Sequence, residues 1–233
     1  MNSHFVYGAA HELDPAGEFA DWLNPRRTAV VSIDMHEGHL STDPACPCPA
    51  PRGRDIVTAI DEFHRTARDR GVPVIHARSE LRASGADDVN GISSSAWRVT
   101  FPKYVGAIPG ADQHALQGSR WTEFVTEVAP NDEVVTGKKR LSAFYPTDLD
   151  FLLRQMGVTA VVLNGIMADC CVLNTAFDAS NLGYRVTVLQ DLVRGTDTTL
   201  EAAALSMVSL HLGLVTASGA LVDSWDGVLR DQG

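Results

Sequence analysis

Long apolar runs are missing from this sequence. No stretch approaches the roughly 20 residues that span a bilayer, so no membrane-crossing helix is expected. The first 19 residues, MNSHFVYGAAHELDPAGEF, have neither a basic start nor an apolar h-region. No secretory signal is therefore read there, and the expectation is a cytoplasmic protein. Cysteine is scarce, with four in 233 residues, too few for a disulfide scaffold and in keeping with a reducing compartment. Positive charge is in deficit. Lys and Arg number 19 against 29 Asp and Glu, a net charge of −10. That excludes a general nucleic-acid binder, which must displace counterions from phosphates, and disfavours docking on anionic membranes. Metal-ligand spacings are also wanting. Cys46-Pro-Cys48, in DPACPCPAPRG, has no second cysteine or histidine pair to complete a zinc tetrahedron and is read as a loop. Glu37 is not placed to make an H-E-x-x-H motif with its neighbours His36 and His39.

What is present is the material of a globular α/β protein. The chain is 45% hydrophobic and 21% charged, enough to bury a full core. Short β-branched runs alternate with longer helical patterns. TAVVSI (Thr28–Ile33), PVIHA (Pro73–Ala77), EVVT (Glu133–Thr136), TAVVLN (Thr159–Asn164), RVTVL (Arg185–Leu189) and GLVTA (Gly213–Ala217) read as strands. Their near-continuous apolar character suits a parallel sheet covered on both faces. Helices are predicted over 55–70, from a Thr147 cap through DLDFLLRQMG, over 172–182, and over TTLEAAALSMVSLH with Thr198 as its cap. The expectation is one doubly wound, Rossmann-like α/β domain of about six mainly parallel strands, over 27–233, behind an N-terminal extension, 1–26. Residues 78–117 show no clear period; a segment that long in a compact domain is usually a lid or a binding loop.

In open α/β sheets, ligands collect at the carboxyl ends of the strands. Asp34 ends the first run, Lys138 and Lys139 follow EVVTG, and Cys170 and Cys171 follow VVLNGIMAD. A carboxylate, an ammonium and a thiol thus fall on one edge. A thiol is activated by a base, a nearby cation and a helix dipole, and backbone N–H groups at such a turn can hold an oxyanion. Each residue has an ordinary reading as well. An acid at a strand end often caps a helix, free cysteines are commonly core, and paired lysines after a strand usually form a solvated turn.

Three motifs in order tie these residues together: VVSIDMH ending the first strand, KKRLSAF at Lys138–Phe144, and GIMADCCV at Gly165–Val172. With the following TAFDASNLGYRVTVLQD, they resemble the isochorismatase-like family of cysteine hydrolases from about Arg27 to Gly219. The resemblance implies a catalytic triad of Asp34, Lys138 and Cys171, with Cys170 as a packed neighbour. It also implies a non-proline cis peptide at Ile166–Met167 and an oxyanion hole from the Met167 and Cys171 N–H groups. Where the family reads D-x-Q-x-x-F, this sequence reads DMHEGH. His36 replaces a glutamine and His39 a pocket phenylalanine, so both are read as pocket hydrogen-bonding groups.

The resemblance implies hydrolysis of a non-peptide C–N bond in a small amide or ureido (carbamoyl) compound through a thioester, with no cofactor. Relatives of this layout act on biuret, N-carbamoylsarcosine, ureidoacrylate, maleamate or nicotinamide. The nicotinamidases carry a metal on an aspartate and histidines after the second strand. Here VIHARSELRASGADD offers His76 but no D-x-H pair, so no metal is expected. Arg78 is read as a partner for a substrate carboxylate, and Trp97, Phe101, Tyr104 and Phe144 as pocket walls. A homodimer or homotetramer is implied. Rival readings are a vinyl-ether hydrolase on this scaffold, a non-catalytic binding protein, and a thiol redox protein using Cys170 and Cys171.

Overall fold

Thr28 to Ile33 is wholly buried, as a strand packed on both faces must be, and its side chains divide between two cores. Val31 and Ile33 enter one cluster with Val161 and Leu163; Val30 enters the other with Val74 and Val162. This period-two division is what makes the fold doubly wound. The computed structural model describes residues 2–87, 97–107, 110 and 113–231.

Along the chain come β1 (Ser3–Val6), β2 (Ala9–Glu12), α1 (Ala20–Leu23), β3 (Thr28–Ile33), α2 (Glu37–Leu40), α3 (Val57–Asp69), β4 (Val74–Ser79) and α4 (Trp97–Val105). There follow β5 (Glu133–Lys138), α5 (Leu149–Gln155), β6 (Ala160–Ile166), α6 (Leu173–Asn181), β7 (Arg185–Arg194), α7 (Thr198–Met207), β8 (Gly213–Thr216) and α8 (Ser218–Asp231). The main sheet has six strands in the order β5-β4-β3-β6-β7-β8, and every neighbouring pair is parallel. The order reverses between β3 and β6. That crevice, at the carboxyl ends of the two strands, is where this architecture places ligands.

The helices bury faces that their periodicity marks. In α3, Ile60, Phe63, His64 and Ala67 are buried, and Ile60, Phe63 and Ala67 share a core cluster with Leu221 and Trp225 of α8. On the other face, Leu149 and Leu153 of α5, Ala176 and Ala179 of α6, and Ala204 of α7 close the second core. Among the described residues no helix is long and apolar enough to cross a membrane.

The structure departs from the sequence reading in several places. Asp197, not Thr198, caps α7, its carboxylate accepting the Leu200 N–H at 2.8 Å. The helix expected from residue 172 is preceded by a π-helical turn, Ala168–Val172. α4 lies inside the segment read as aperiodic, and α8 was not anticipated. Before the family region, β1 and β2 form an antiparallel hairpin docked on β8. There the Val215 N–H donates to His4 Nδ1 at 3.0 Å and the Thr216 hydroxyl donates to the Ser3 carbonyl. Four-residue strands carry too little pattern to be read from sequence alone.

Candidate active site

Asp34 is the first residue past β3, with its N–H donating to the Ala77 carbonyl at 2.8 Å and φ at 52°. Aspartate is among the few side chains that tolerate this left-handed region. Its carboxylate is almost fully buried. Oδ2 accepts Lys138 Nζ at 2.6 Å, while Oδ1 accepts the Ser79 N–H at 2.8 Å and its hydroxyl at 3.3 Å. Lys138 comes from β5, two strands away. It reaches Asp34 across the end of β4, where it stands opposite Ser79 and donates to the Ser79 hydroxyl at 2.8 Å. The same ammonium lies 3.5 Å from Cys171 Sγ.

Cys171 sits in the π-helical turn between β6 and α6. The approach of β6 to β3 is close. A Cβ on Gly165, whose φ is +105°, would fall 2.2 Å from the Ile33 carbonyl oxygen, so only glycine fits. The next peptide bond, Ile166–Met167, is cis.

Electrostatics follow from this burial. Desolvation pushes the Asp34 carboxyl up, but the Lys138 ammonium, together with its hydrogen bond, outweighs it and holds Asp34 well below the carboxylate range. Burial pulls Lys138 down, and Asp34 reverses that and raises it. The resting pair is therefore ionised. Cys171 goes the other way. Its hydrogen bond with Cys170 and its burial push the thiol up against the pull of Lys138, so the resting sulfur keeps its proton.

A cavity of about 230 Å³ opens above this group. Ser79, Lys138 and Cys171 line it, with Met167, Asp169, Cys170 and Thr196 from the turns after β6 and β7. Asp169 is fixed by the Thr196 N–H and hydroxyl, both at 2.7 Å. His39, Cys48 and His114 form another wall; Leu81, Phe101 and Leu141 supply apolar surface; Lys139 and Arg140 bring positive charge. Among the described residues no group of three or more His, Cys, Asp or Glu side chains is arranged to hold a metal.

The structure brings together Asp34, Lys138, Cys171, Met167, Cys170 and His39, and it relocates other expected pocket residues. Arg78 is not in the cavity. It precedes Ser79 on β4 and so points to the opposite face of the sheet. There it donates to the Thr122 carbonyl, lies 3.6 Å from Glu80 and covers the Phe124 ring at 4.9 Å. Tyr104 is exposed and its hydroxyl bonds Asp197; Phe101, one turn earlier on α4, faces the cavity instead. Phe144 stacks on Tyr184, with centroids 5.9 Å apart, as part of the core. His36 lies behind the wall, fully buried, with Nδ1 2.8 Å from the Trp121 carbonyl. The Trp97 side chain lies outside the described residues.

Some residues of the site went unread in the sequence. Ser79 falls two residues past the expected end of its strand, and His114 belongs to the aperiodic segment. Cys48, assigned to a mere loop, forms part of the wall, and its carbonyl accepts the His39 Nδ1–H at 2.9 Å. Arg140 and Asp169 were inside quoted motifs without a role. Their signal was position at the carboxyl edge of the sheet.

The isochorismatase domain family matches residues 28–220. The chain belongs to the isochorismatase family. N-carbamoylsarcosine amidase of an Arthrobacter species is 28% identical over 172 residues, 72% of this chain and 59% of that relative; the chain thus spans less than two thirds of its length. Ureidoacrylate amidohydrolase RutB of Caulobacter vibrioides is 28% identical over 206 residues, 84% of this chain and 90% of the relative. A crystal structure of a cysteine hydrolase from Pseudomonas syringae pv. phaseolicola superposes with a TM-score of 0.76 at 23% identity, covering 89% of this chain and 96% of that one. That likeness is one of fold. The protein is an isochorismatase-family hydrolase.

Proposed function

We propose that this hydrolase cleaves the C–N bond of a small carbamoyl (ureido) or amide acid, using Cys171 as nucleophile and passing through a thioester. One observation carries the reading: a single buried ammonium, Lys138 Nζ, touches both Asp34 Oδ2 at 2.6 Å and Cys171 Sγ at 3.5 Å. It neutralises the carboxylate in the resting state and the sulfur once its proton has left. In this reading Asp34 takes the thiol proton as Cys171 Sγ attacks the carbonyl carbon. The N–H groups of Met167 and Cys171 are proposed to hold the developing oxyanion. Protonated Asp34 then gives its proton to the leaving nitrogen, and water hydrolyses the thioester with Asp34 again as base.

The acid group of the substrate is proposed to bind at Arg140. Arg140 lines the cavity, and its guanidinium donates to the carbonyls of Lys139 at 2.6 Å and Asp87 at 2.9 Å. A guanidinium pairs with a carboxylate through two parallel bonds. Arg140 thus replaces Arg78 in the carboxylate-binding role. N-carbamoylsarcosine and ureidoacrylate, the compounds for which the two relatives are named, each join a carbamoyl group to an acid. The proposal extends to a cytoplasmic homo-oligomer.

The test is ammonia release from biuret, N-carbamoyl amino acids, ureidoacrylate, maleamate and nicotinamide, with Cys171→Ala as control. Release from the carbamoyl acids that disappears in the variant is the expected outcome. Turnover that survives in Cys171→Ala would sink the mechanism.

A further inference from the structure

His36 is fully buried next to Asp34 yet takes no part in the ion pair. Its Nδ1 lies 2.8 Å from the Trp121 carbonyl. A carbonyl oxygen only accepts, so Nδ1 carries a hydrogen; in the neutral ring Nε2 then holds a lone pair. That Nε2 is buried without a hydrogen-bond partner and points at Asp34 Oδ1, 3.9 Å away. Turning the ring to satisfy it would break the Nδ1–H bond to the Trp121 carbonyl. The backbone is fixed too: the His36 N–H donates to the Asp34 carbonyl at 3.0 Å, the residue bridges to Phe124, and its ring centroid lies 4.7 Å from that of His39.

The imidazole is neutral at ordinary pH. Burial and the neighbouring His39 and His114 hold it well below its usual range, against the pull of Asp34 and the Trp121 carbonyl. The other charged groups around the pair are Lys138, bonded to Asp34, and Arg78, stacked over Phe124. In the resting ion pair, then, a lone pair faces a carboxylate, and nothing is gained. The arrangement becomes favourable at one moment, when Asp34 carries a proton.

We propose that His36 is a positioning residue for that proton: Nε2 accepts a hydrogen bond from protonated Asp34 and thereby strengthens Asp34 as the base for Cys171. The inference rests on the reading of Asp34 as base. The S–H bond of Cys171 breaks, its electron pair forms the bond from sulfur to the carbonyl carbon, and the proton forms a new O–H on Asp34. That O–H points to Nε2 after the two groups close by about 1 Å, to hydrogen-bond distance. When the C–N bond breaks, the proton passes from Asp34 to the leaving nitrogen. His36 gains and loses no proton.

The experiment needs no substrate. Iodoacetamide alkylation of Cys171 is followed by peptide mass spectrometry from pH 5 to 10 in wild type, His36→Leu, His36→Gln and Asp34→Asn, each checked for folding by circular dichroism. His36→Leu is expected to slow alkylation at pH 7 about tenfold and to leave the alkaline midpoint in place, because the proton moves from Cys171 to Asp34 without leaving the pair. Glutamine, whose amide oxygen can accept, is expected to restore the rate to within about threefold. A wild-type rate at pH 7 in His36→Leu would overturn the proposal. So would a folded His36→Gln as slow as His36→Leu, since the imidazole would then matter only as packing. Should the leucine variant fail to fold, nitrogen-15 NMR of the wild-type histidines decides: a neutral His36 with its hydrogen on Nδ1 is expected, and an imidazolium or an Nε2–H form overturns it. Unimpaired alkylation in Asp34→Asn would instead remove the base reading beneath the proposal, a result distinct from any His36 outcome.

Discussion

Ser79 and Lys138 stand opposite one another at the ends of β4 and β5, and the Ser79 hydroxyl accepts Lys138 Nζ at 2.8 Å. The Ser79 N–H meanwhile holds Asp34 Oδ1 at 2.8 Å. One residue thus fixes both members of the ion pair, Lys138 by its hydroxyl and Asp34 by its backbone N–H and, more weakly, the same hydroxyl. Ser79→Ala removes both hydroxyl contacts, the one from Lys138 Nζ and the one to Asp34 Oδ1 at 3.3 Å, and leaves the backbone contact. The ammonium loses an acceptor but keeps its carboxylate, and Asp34 loses a long hydroxyl contact, so the expected stability loss is about 1–2 kcal/mol, one to two net hydrogen bonds. Turnover is expected to fall about tenfold or more, because misplacing a catalytic group by a fraction of an ångström is costly. Thermal melting beside initial rates separates the two effects. A variant that lost several kcal/mol with unchanged turnover would assign Ser79 to folding alone.

Lys138→Met leaves the Asp34 carboxylate buried and uncompensated. Breaking a buried pair from one side costs about 3–5 kcal/mol, and denaturant unfolding should show a loss of that size. The pair also fixes a pH window. Asp34 is held below its usual range when folded, so its contribution is complete above about pH 4 and is lost as pH falls further, where the unfolded chain binds the proton first. Lys138 is raised, so its contribution is complete below about pH 10 and is lost only as pH rises above that. Lys138→Met stability should therefore change less than wild type below pH 4. An equal acid slope in both proteins would contradict the linkage.

The sheet and the edge where its polar residues gather were legible because their signals are local. A β-branched run fixes a strand, and position after a strand fixes the edge on which Asp34, Lys138 and Cys171 meet. The pocket was not legible, because it depends on side-chain direction across elements. Arg78 and Ser79 are neighbours in sequence, yet the pleat sends one to the Phe124 ring and the other to Asp34. Phe101 and Tyr104 share one helix, but only Phe101 reaches the cavity. Cys48 enters the site through a Pro-rich loop whose path no periodicity encodes. The close approach at Gly38, where a Cβ would meet the His114 carbonyl at 1.8 Å, brings two distant segments together with no sequence mark beyond a glycine.

Cys170 and Cys171 should separate cleanly. Cys171→Ala is expected to abolish turnover, by at least about a thousandfold, as loss of a nucleophile does. Cys170→Ala removes the hydrogen bond that pushes the Cys171 thiol up. The Cys171 midpoint should fall, and its alkylation below pH 8 should accelerate. Slower alkylation in Cys170→Ala would show that Cys170 activates its neighbour instead of holding its proton.

Beneath the sheet, far from the cavity, His64 tests the fold. Its Nε2 lies 3.1 Å from Asn164 Nδ2, which donates to it, and its ring meets His76 edge-on at 5.2 Å. Burial, then the proximity of His76 and Arg68, lowers the imidazole to about 3. Folded His64 thus stays neutral where the unfolded chain, near 6.5, already binds a proton. Stability is unaffected above about pH 6.5 and declines as pH falls toward 3, at about 1.4 kcal/mol per pH unit for this one group. Replacing His64 with glutamine keeps an acceptor for Asn164 and removes the titration. Urea unfolding at a series of pH values should show a shallower acid slope for His64→Gln; parallel slopes would place the acid sensitivity elsewhere.

Arg140 offers the sharpest test of substrate class, because its effect depends on the charge of the compound offered. Arg140→Ala is expected to raise KM for an N-carbamoyl amino acid about 10- to 100-fold, the loss of a charge-assisted bond of about 1.5–3 kcal/mol. For an uncharged ureido compound such as biuret, which has no carboxylate to lose, KM should move less than about threefold on the same scale. Arg140→Lys keeps the charge but not the planar fork and should recover only part of the affinity. Arg78→Ala serves as the control, since Arg78 lies on the far side of β4 with its guanidinium over Phe124. A large carboxylate-selective loss in Arg78→Ala with none in Arg140→Ala would return the role to the residue that sequence alone had chosen.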